Sequence, residues 1–199
     1  ALVVLLLSIS HQDVQAIARS EHGAQIVEHI GLLQTYRSLE VIESVFDVSS
    51  VEVRAACLEA VRHLFFKRSF RLVERGLSDQ SGQVREAALV AIEHLIFPHA
   101  VASLRQLYRH HSEREVRIRV IRALGQIHTR EAADALLEPL GDGGDFGREA
   151  ERALARMAVV DLNTYLSQQV AQAHTVALKE ALVRVGGLRQ DTGGTRERQ

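Results

Sequence analysis

Apolar residues along most of this chain recur three and four positions apart, the spacing of one face of an α-helix. Within this pattern one motif returns: apolar–Arg–x–x–small–x–x–Ala–apolar–x–x–apolar. Its shared alanines lie 31, 32, 30 and 28 residues apart, at Ala60, Ala91, Ala123, Ala153 and Ala181. A nearly constant period with helical spacing inside each unit predicts a stack of helical repeats. The alanines are expected to face inward, where a neighbouring helix approaches closely.

A second helix is predicted after each of the first four motif helices, over residues 67–77, 98–108, 130–140 and 161–170. The positions expected to be buried in these helices are spaced 31, 32 and 30 residues apart: Val73, Leu104, Leu136 and Leu166. Ser49 with Glu52, and Ser112 with Glu115, have the spacing of capping boxes ahead of two first helices. The unit is therefore a helical hairpin, and the expected fold class is all-α.

The domain organisation predicted from these patterns has three parts. Residues 1–47 are expected to form irregular helical units, as terminal repeats often do. Residues 48–185 hold the repeats, at approximately 48–78, 79–111, 112–142, 143–172 and a partial 173–185. Residues 186–199 are glycine-rich and polar, which predicts a flexible tail.

Over residues 48–185 the Val-Arg–Ala–Leu spacing resembles the HEAT-like repeat family, in the short bacterial variety found in phycobilisome lyase subunits. The resemblance implies a right-handed α-solenoid, a superhelix of about five to six hairpins. It implies that second helices line a concave face on which a protein partner binds. The repeated arginines, Arg54, Arg85 and Arg117, are expected to join neighbouring units through acidic residues or carbonyls.

Charge is distributed unevenly along the chain. Residues 1–53 contain two basic and seven acidic residues, residues 54–130 fourteen and seven, and residues 131–199 eight and eleven. A basic middle can steer an acidic protein segment or helix toward the concave face. The candidate partner-binding residues are Arg68, Arg71, Arg75, Arg105, Tyr108 and Arg109. A solvated face without a ligand is the alternative interpretation.

Catalytic and metal chemistry finds no support in the sequence. The ten histidines include no HExxH motif, and the adjacent His110 and His111 would point in different directions on a helix. Phosphate-loop and GxSxG motifs are absent from the sequence. A pI near 6.9 without any tryptophan argues against nucleic acid. We therefore expect a non-catalytic scaffold without metal or cofactor.

Three further expectations concern environment. Cys57, the single cysteine, lies in an alanine-rich helix and is expected to be a small core residue; one cysteine without a disulfide fits the cytoplasm. The segment 1–9, ALVVLLLSI, is shorter than a membrane span and is expected to be a core helix, with the end of a membrane helix as the alternative. Membrane association is accordingly expected only through a segment upstream of Ala1. A lyase-like accessory subunit or the soluble part of an anchored protein are the alternative functions.

Overall fold

A computed structural model describes residues 9–193 of the chain, with side chains through residue 189. The core helix expected over residues 1–9 falls on residues 1–8, which lie outside the described part, and on Ile9, the first described residue. Every regular element in the described part is helical, which confirms the all-α class. The α-helices are α1 His11–Arg19, α2 Gly23–Leu32, α3 Tyr36–Phe46, α4 Val51–Val61, α5 Ser69–Leu77, α6 Gly82–His94, α7 Val101–His110, α8 Arg114–Gln126, α9 Arg130–Ala135, α10 Leu137–Asp142, α11 Gly144–Arg156, α12 Leu162–Gln172 and α13 Val176–Gly193.

The described helices form two compact units, which are divided between Leu95 and Ile96. In the first unit α2, α4 and α6 pack in sequence against one another as first helices, while α3 and α5 are second helices. In the second unit α8, α11 and α13 are the first helices, and α7, the pair α9–α10 and α12 are second helices. Each unit is thus a solenoid-like stack of helical hairpins, as the repeat period predicts.

The boundary between the units falls within the predicted repeat 79–111, which the sequence did not indicate. Phe97 has an extended backbone ahead of Pro98, and a short 3₁₀ turn, Pro98–Ala100, precedes α7. Proline restricts the preceding residue to extended conformations, so a helix cannot run through this point. The local backbone therefore separates α6 from α7.

The regularly spaced alanines lie on the packed sides of the first helices, and Ala60 and Ala153 lie where two first helices approach closely. Ala60, Ala91, Ala123 and Ala181 are buried, whereas Ala153 is half-buried. Ala153 nevertheless lies at a close junction, because a Cβ on Gly125 would come within 2.7 Å of its Cβ. The expected second-helix core positions, Val73, Leu104, Leu136 and Leu166, are all buried. The small side chains of the alanines let adjacent helices pack closely.

Cys57 is fully buried, as expected, and burial raises the pKa of its thiol far above the usual range. A buried, protonated thiol of this kind behaves as a small apolar side chain. Its place in α4 supports a structural role.

The helix starts differ in detail from the sequence prediction. The side chain of Ser50, not Ser49, caps α4 by accepting the Val53 amide at 3.5 Å. Residue Glu113 stands at the N-cap of α8, where no side chain makes a capping hydrogen bond, so the predicted box at Ser112 is absent. A capping pattern in sequence identifies a helix start only to within a residue or two.

The predicted flexible tail is wrong for residues 186–193, which continue α13. Arg189 explains the difference. Its guanidinium donates to the backbone carbonyls of Leu154, Ala155 and Met157 at 2.9, 3.3 and 2.8 Å. These tertiary contacts to the end of α11 outweigh the low helix propensity of the glycines. The remainder of the predicted tail, 194–199, lies outside the described residues.

Candidate partner-binding surface

The second helix α5 has one apolar and one basic side. Phe70, Val73 and Leu77 are buried, and the basic residues Arg68, Arg71 and Arg75 lie on the opposite, exposed side. Spacings of three and four residues place each set on a single face. We call the exposed side of the second helices the second-helix face.

Arg75 of α5 and Arg68, at the N-cap of α5, form ion pairs with acidic residues in and just after the preceding second helix, α3. Arg68 donates through Nη2 to Glu43 Oε2 at 2.6 Å, and its Nη1 lies 3.8 Å from Glu40 Oε1. Arg75 pairs with Asp47 and also covers the ring of Phe46, with 4.9 Å from Cζ to the ring centroid. These charges therefore connect neighbouring hairpins of the first unit.

Arg71 differs from its neighbours on the same face. It is exposed, and within residues 9–193 it forms no ion pair or hydrogen bond through its side chain. Its guanidinium keeps all of its donors for a partner, including the fork that matches a carboxylate. Of the basic residues selected from sequence in α5, Arg71 is the one available without breaking an internal contact.

The second unit repeats the pairing on its own second helices. Arg105 in α7 lies 3.2 Å from Asp134 and 3.6 Å from Glu138, measured between the nearest nitrogen and oxygen. Arg109 lies 2.7 Å from Glu138 in the same way. The side chains remain between about a third and a half exposed, so each pair contributes little stability by itself.

Tyr108 is not available for a partner. It is only 2% exposed, and its hydroxyl donates to Asp142 Oδ2 at 2.6 Å. Burial, and then this bond to Asp142, raise the pKa of Tyr108 well above its usual value. The sequence placed it among cations correctly, but its ring packs against Arg117 inside the unit. Tyr108 therefore leaves the set of candidate contact residues.

Within each unit, charge alternates between successive second helices, a detail that the basic middle of the sequence does not predict. Acidic α3 faces basic α5, and basic α7 faces acidic α9–α10. A signal for this was present in the sequence. Paired residues such as Glu43 and Arg68, or Arg105 and Asp134, are separated by 25 and 29 residues, approximately one repeat. Equivalent positions of successive second helices carry opposite charges.

The repeated arginines of the first helices are structural, as expected. Arg54 pairs with Asp79, Arg85 donates to the carbonyls of Asp79 and Gln80 at 2.8 and 2.9 Å, and Arg117 pairs with Asp142 at 2.9 Å. Arg54 and Arg117 reach the end of the second helix of their own hairpin, and Arg85 reaches the turn that precedes its helix. These arginines hold hairpins together and are excluded from the candidate surface.

Other chemistry is limited in the described part of the chain. Residues 9–193 contain no group of three or more His, Cys, Asp or Glu side chains that could hold a metal ion. A groove of about 340 Å³ in the second unit is lined by polar groups that include Arg122, His128 and Arg156. None of the described helices is both long and apolar enough to cross a membrane.

Residues 71–155 match the family model described as HEAT repeats. No curated protein matches the chain. Two solved structures described as engineered proteins are similar to it, each with 16% identity and a TM-score of 0.38. The first match covers 90% of this chain and 97% of the other, and the second covers 95% and 67%. The family match alone confirms the resemblance to HEAT repeats, and it does so for residues 71–155.

Proposed function

We propose that this chain, whose residues 71–155 match HEAT repeats, is a non-catalytic scaffold that binds a protein partner on its second-helix face. The observation that carries the proposal is the contrast within α5, where Arg68 and Arg75 are engaged by α3 and Arg71 is exposed without a partner in the described residues. Repeat packing does not require a charge at that position. A cation kept free beside paired ones favours recognition of a carboxylate.

The paired residues give this contact a defined setting. Glu43 and Asp47 hold Arg68 and Arg75 in place, so the surface around Arg71 is ordered before a partner arrives. Preorganised side chains lose less conformational entropy on binding. We infer that Arg71 anchors an acidic residue of the partner, that Arg68 and Arg75 flank it, and that Arg105 and Arg109 provide similar flanking contacts in the second unit.

A cytoplasmic location is part of the proposal, and it rests on the single reduced cysteine, Cys57. Cysteines without disulfides are typical of reducing compartments. The buried position of this thiol is compatible with such a compartment, and fractionation of the native cells followed by immunoblotting tests the location.

The experiment that tests the proposal compares Arg71→Glu with Lys179→Glu in quantitative affinity capture from the native organism. Lys179 is an exposed lysine on a first helix, so both variants change one surface cation by two charge units. We expect Arg71→Glu to reduce recovery of a reproducible protein partner by at least about tenfold, as loss of a contact hot spot does. Lys179→Glu should recover it at the wild-type level. Equal recovery by both variants, or no partner with wild type, would overturn the proposal.

A further inference from the structure

A groove of about 340 Å³ lies between the first helices α8 and α11 of the second unit. The two helices approach closely at Gly125 and Ala153, which both line it. The rest of its lining consists of three arginines, one glutamate and two further polar side chains: Arg122, Arg152, Arg156, Glu149, Gln126 and His128. We call this site the first-helix groove. A concave site of this volume with convergent polar groups can hold a small ligand or one side chain of a partner.

The charges that line the first-helix groove do not balance. Glu149 accepts from Arg122 Nε at 2.8 Å and from Arg152 Nη1 at 3.2 Å, with one arginine on each carboxylate oxygen. Its side chain is only 16% exposed, so these two partners cover most of its charge. With Arg156, three arginines face one glutamate, which leaves a net charge of +2. The groove therefore attracts anions, and a doubly charged one balances it.

Arg156 is not required for packing within the unit. It is exposed, and within residues 9–193 its side chain forms no ion pair or hydrogen bond. It lies in the last turn of α11, where a basic side chain commonly binds the free carbonyls. Here the carbonyls of Leu154, Ala155 and Met157 already accept from Arg189. Arg156 therefore keeps its donors for a ligand.

Two neutral side chains add donors to the same groove. The backbone amide of Ala158 donates to His128 Nδ1 at 3.3 Å, so the ring carries its proton on Nε2. Gln126 is exposed, and its amide forms no hydrogen bond in the described part of the chain. Together with Arg156, these groups offer more N–H donors than the about four that one carboxylate accepts. A phosphate monoester adds a third terminal oxygen and brings a charge of about −1.5 to −2 at neutral pH.

We propose that the first-helix groove binds the phosphate monoester group of a ligand and that Arg156 is its main donor. A guanidinium and a phosphate match in bidentate geometry, and a dianion balances the charge that Glu149 leaves over. A nucleic acid has one charge per phosphate and extends far beyond a groove of this size, so it fits these residues less well. The groove lies between first helices, and the inference therefore goes beyond the second-helix face.

The test is isothermal titration calorimetry of the full chain at low ionic strength with phenyl phosphate and with benzoate. The two probes share a ring, so the comparison isolates the charged group. We expect the Kd for phenyl phosphate to be at least about tenfold lower than that for benzoate. Arg156→Gln should raise the Kd for phenyl phosphate at least about tenfold. Arg148→Gln removes an exposed arginine from the same helix outside the groove and should bind as wild type.

A phosphoserine peptide library, titrated in the same way, distinguishes the two sources of such a group. Tighter binding than phenyl phosphate supports the proposal and assigns the group to a phosphorylated protein. Binding that is equal or weaker supports it with a small phosphate ester as the ligand.

Circular dichroism establishes that each variant is folded, and Arg152→Gln replaces Arg156→Gln if that one is not. Equal Kd values for phenyl phosphate and benzoate, or a phosphate affinity that the groove variant leaves unchanged, overturn the proposal. Tighter binding of a single-stranded oligonucleotide than of either monoester probe also overturns it and assigns the groove to nucleic acid. Arg71 is intact throughout, so failure here leaves the result for the second-helix face separate.

Discussion

The guanidinium of Arg54 donates two hydrogen bonds to the carboxylate of Asp79, from Nε at 2.8 Å and from Nη2 at 3.0 Å. Arg54 lies in a first helix and Asp79 follows the second helix of the same hairpin, so the pair closes the hairpin. Its side chains are only 22% and 10% exposed, which shields the charges from water. A bidentate pair in this setting is stronger than an exposed one.

Arg54→Ala should therefore lower the free energy of unfolding by about 2 kcal/mol, because it leaves the Asp79 carboxylate largely buried and without its main donor. The control is Arg148→Ala. Arg148 pairs with Asp145 on the same helix, but its side chain is 64% exposed, so its loss should cost less than about 0.5 kcal/mol. Urea unfolding measures both values. Equal costs would mean that the Arg54 pair contributes no more than a surface contact.

The same pair predicts a pH dependence. The hydrogen bond from Arg54 is the largest cause that holds the pKa of Asp79 below its usual range. A carboxyl with a depressed folded pKa adds stability above its unfolded pKa, about 3.9, and loses it as pH falls through the folded value. The stability difference between wild type and Asp79→Asn should thus be constant at neutral pH and shrink below about pH 4. A gap that widens in acid would contradict this assignment.

Arg117 is enclosed by aromatic rings in the second unit. Its Cζ lies 4.2 Å from the centroid of Tyr108 and 4.3 Å from that of Phe146, and Nη2 pairs with Asp142. Lysine keeps the charge but cannot stack as a plane, so Arg117→Lys should cost about 1–2 kcal/mol. Arg122→Lys changes an exposed pair with Glu149 and should cost less than about 0.5 kcal/mol. Thermal unfolding that ranks the two variants equally would exclude a role for stacking.

Much of the fold was predictable because repeats impose one pattern many times. The shared alanines and the second-helix positions such as Val73 and Leu136 follow from helical spacing alone. Whether a candidate cation is free or paired does not follow from helical spacing. A charge on an exposed helix face has the same spacing in both cases, as free Arg71 and paired Arg75 show. Only the position of the neighbouring helix distinguishes the two.

The tail and the contact role of Tyr108 were predicted wrongly because both depend on residues that are distant in sequence. Glycines in residues 186–193 predicted a tail, but the carbonyls that Arg189 binds lie at the end of α11 and just after it, distant in sequence. Tyr108 looked like an interface residue because it lies between arginines. Its side chain is buried, and its hydroxyl donates to Asp142, which lies 34 residues further along the chain. Tertiary contacts overrode local propensity in both cases.

Small residues at the junctions allow first helices to pack against one another. Two glycines in the second unit test it. A Cβ at Gly125 would lie 2.7 Å from the Cβ of Ala153, whereas a Cβ at Gly186 would meet nothing within 4 Å. Both residues lie in first helices, α8 and α13.

The decisive measurement is the change in free energy of urea unfolding for Gly125→Ala and for Gly186→Ala. We predict opposite signs. Gly186→Ala should stabilise by about 0.5–1 kcal/mol, because alanine favours a helix where there is space. Gly125→Ala should destabilise by about 1–3 kcal/mol through overpacking of the junction. Stabilisation of both variants would contradict close packing between the first helices.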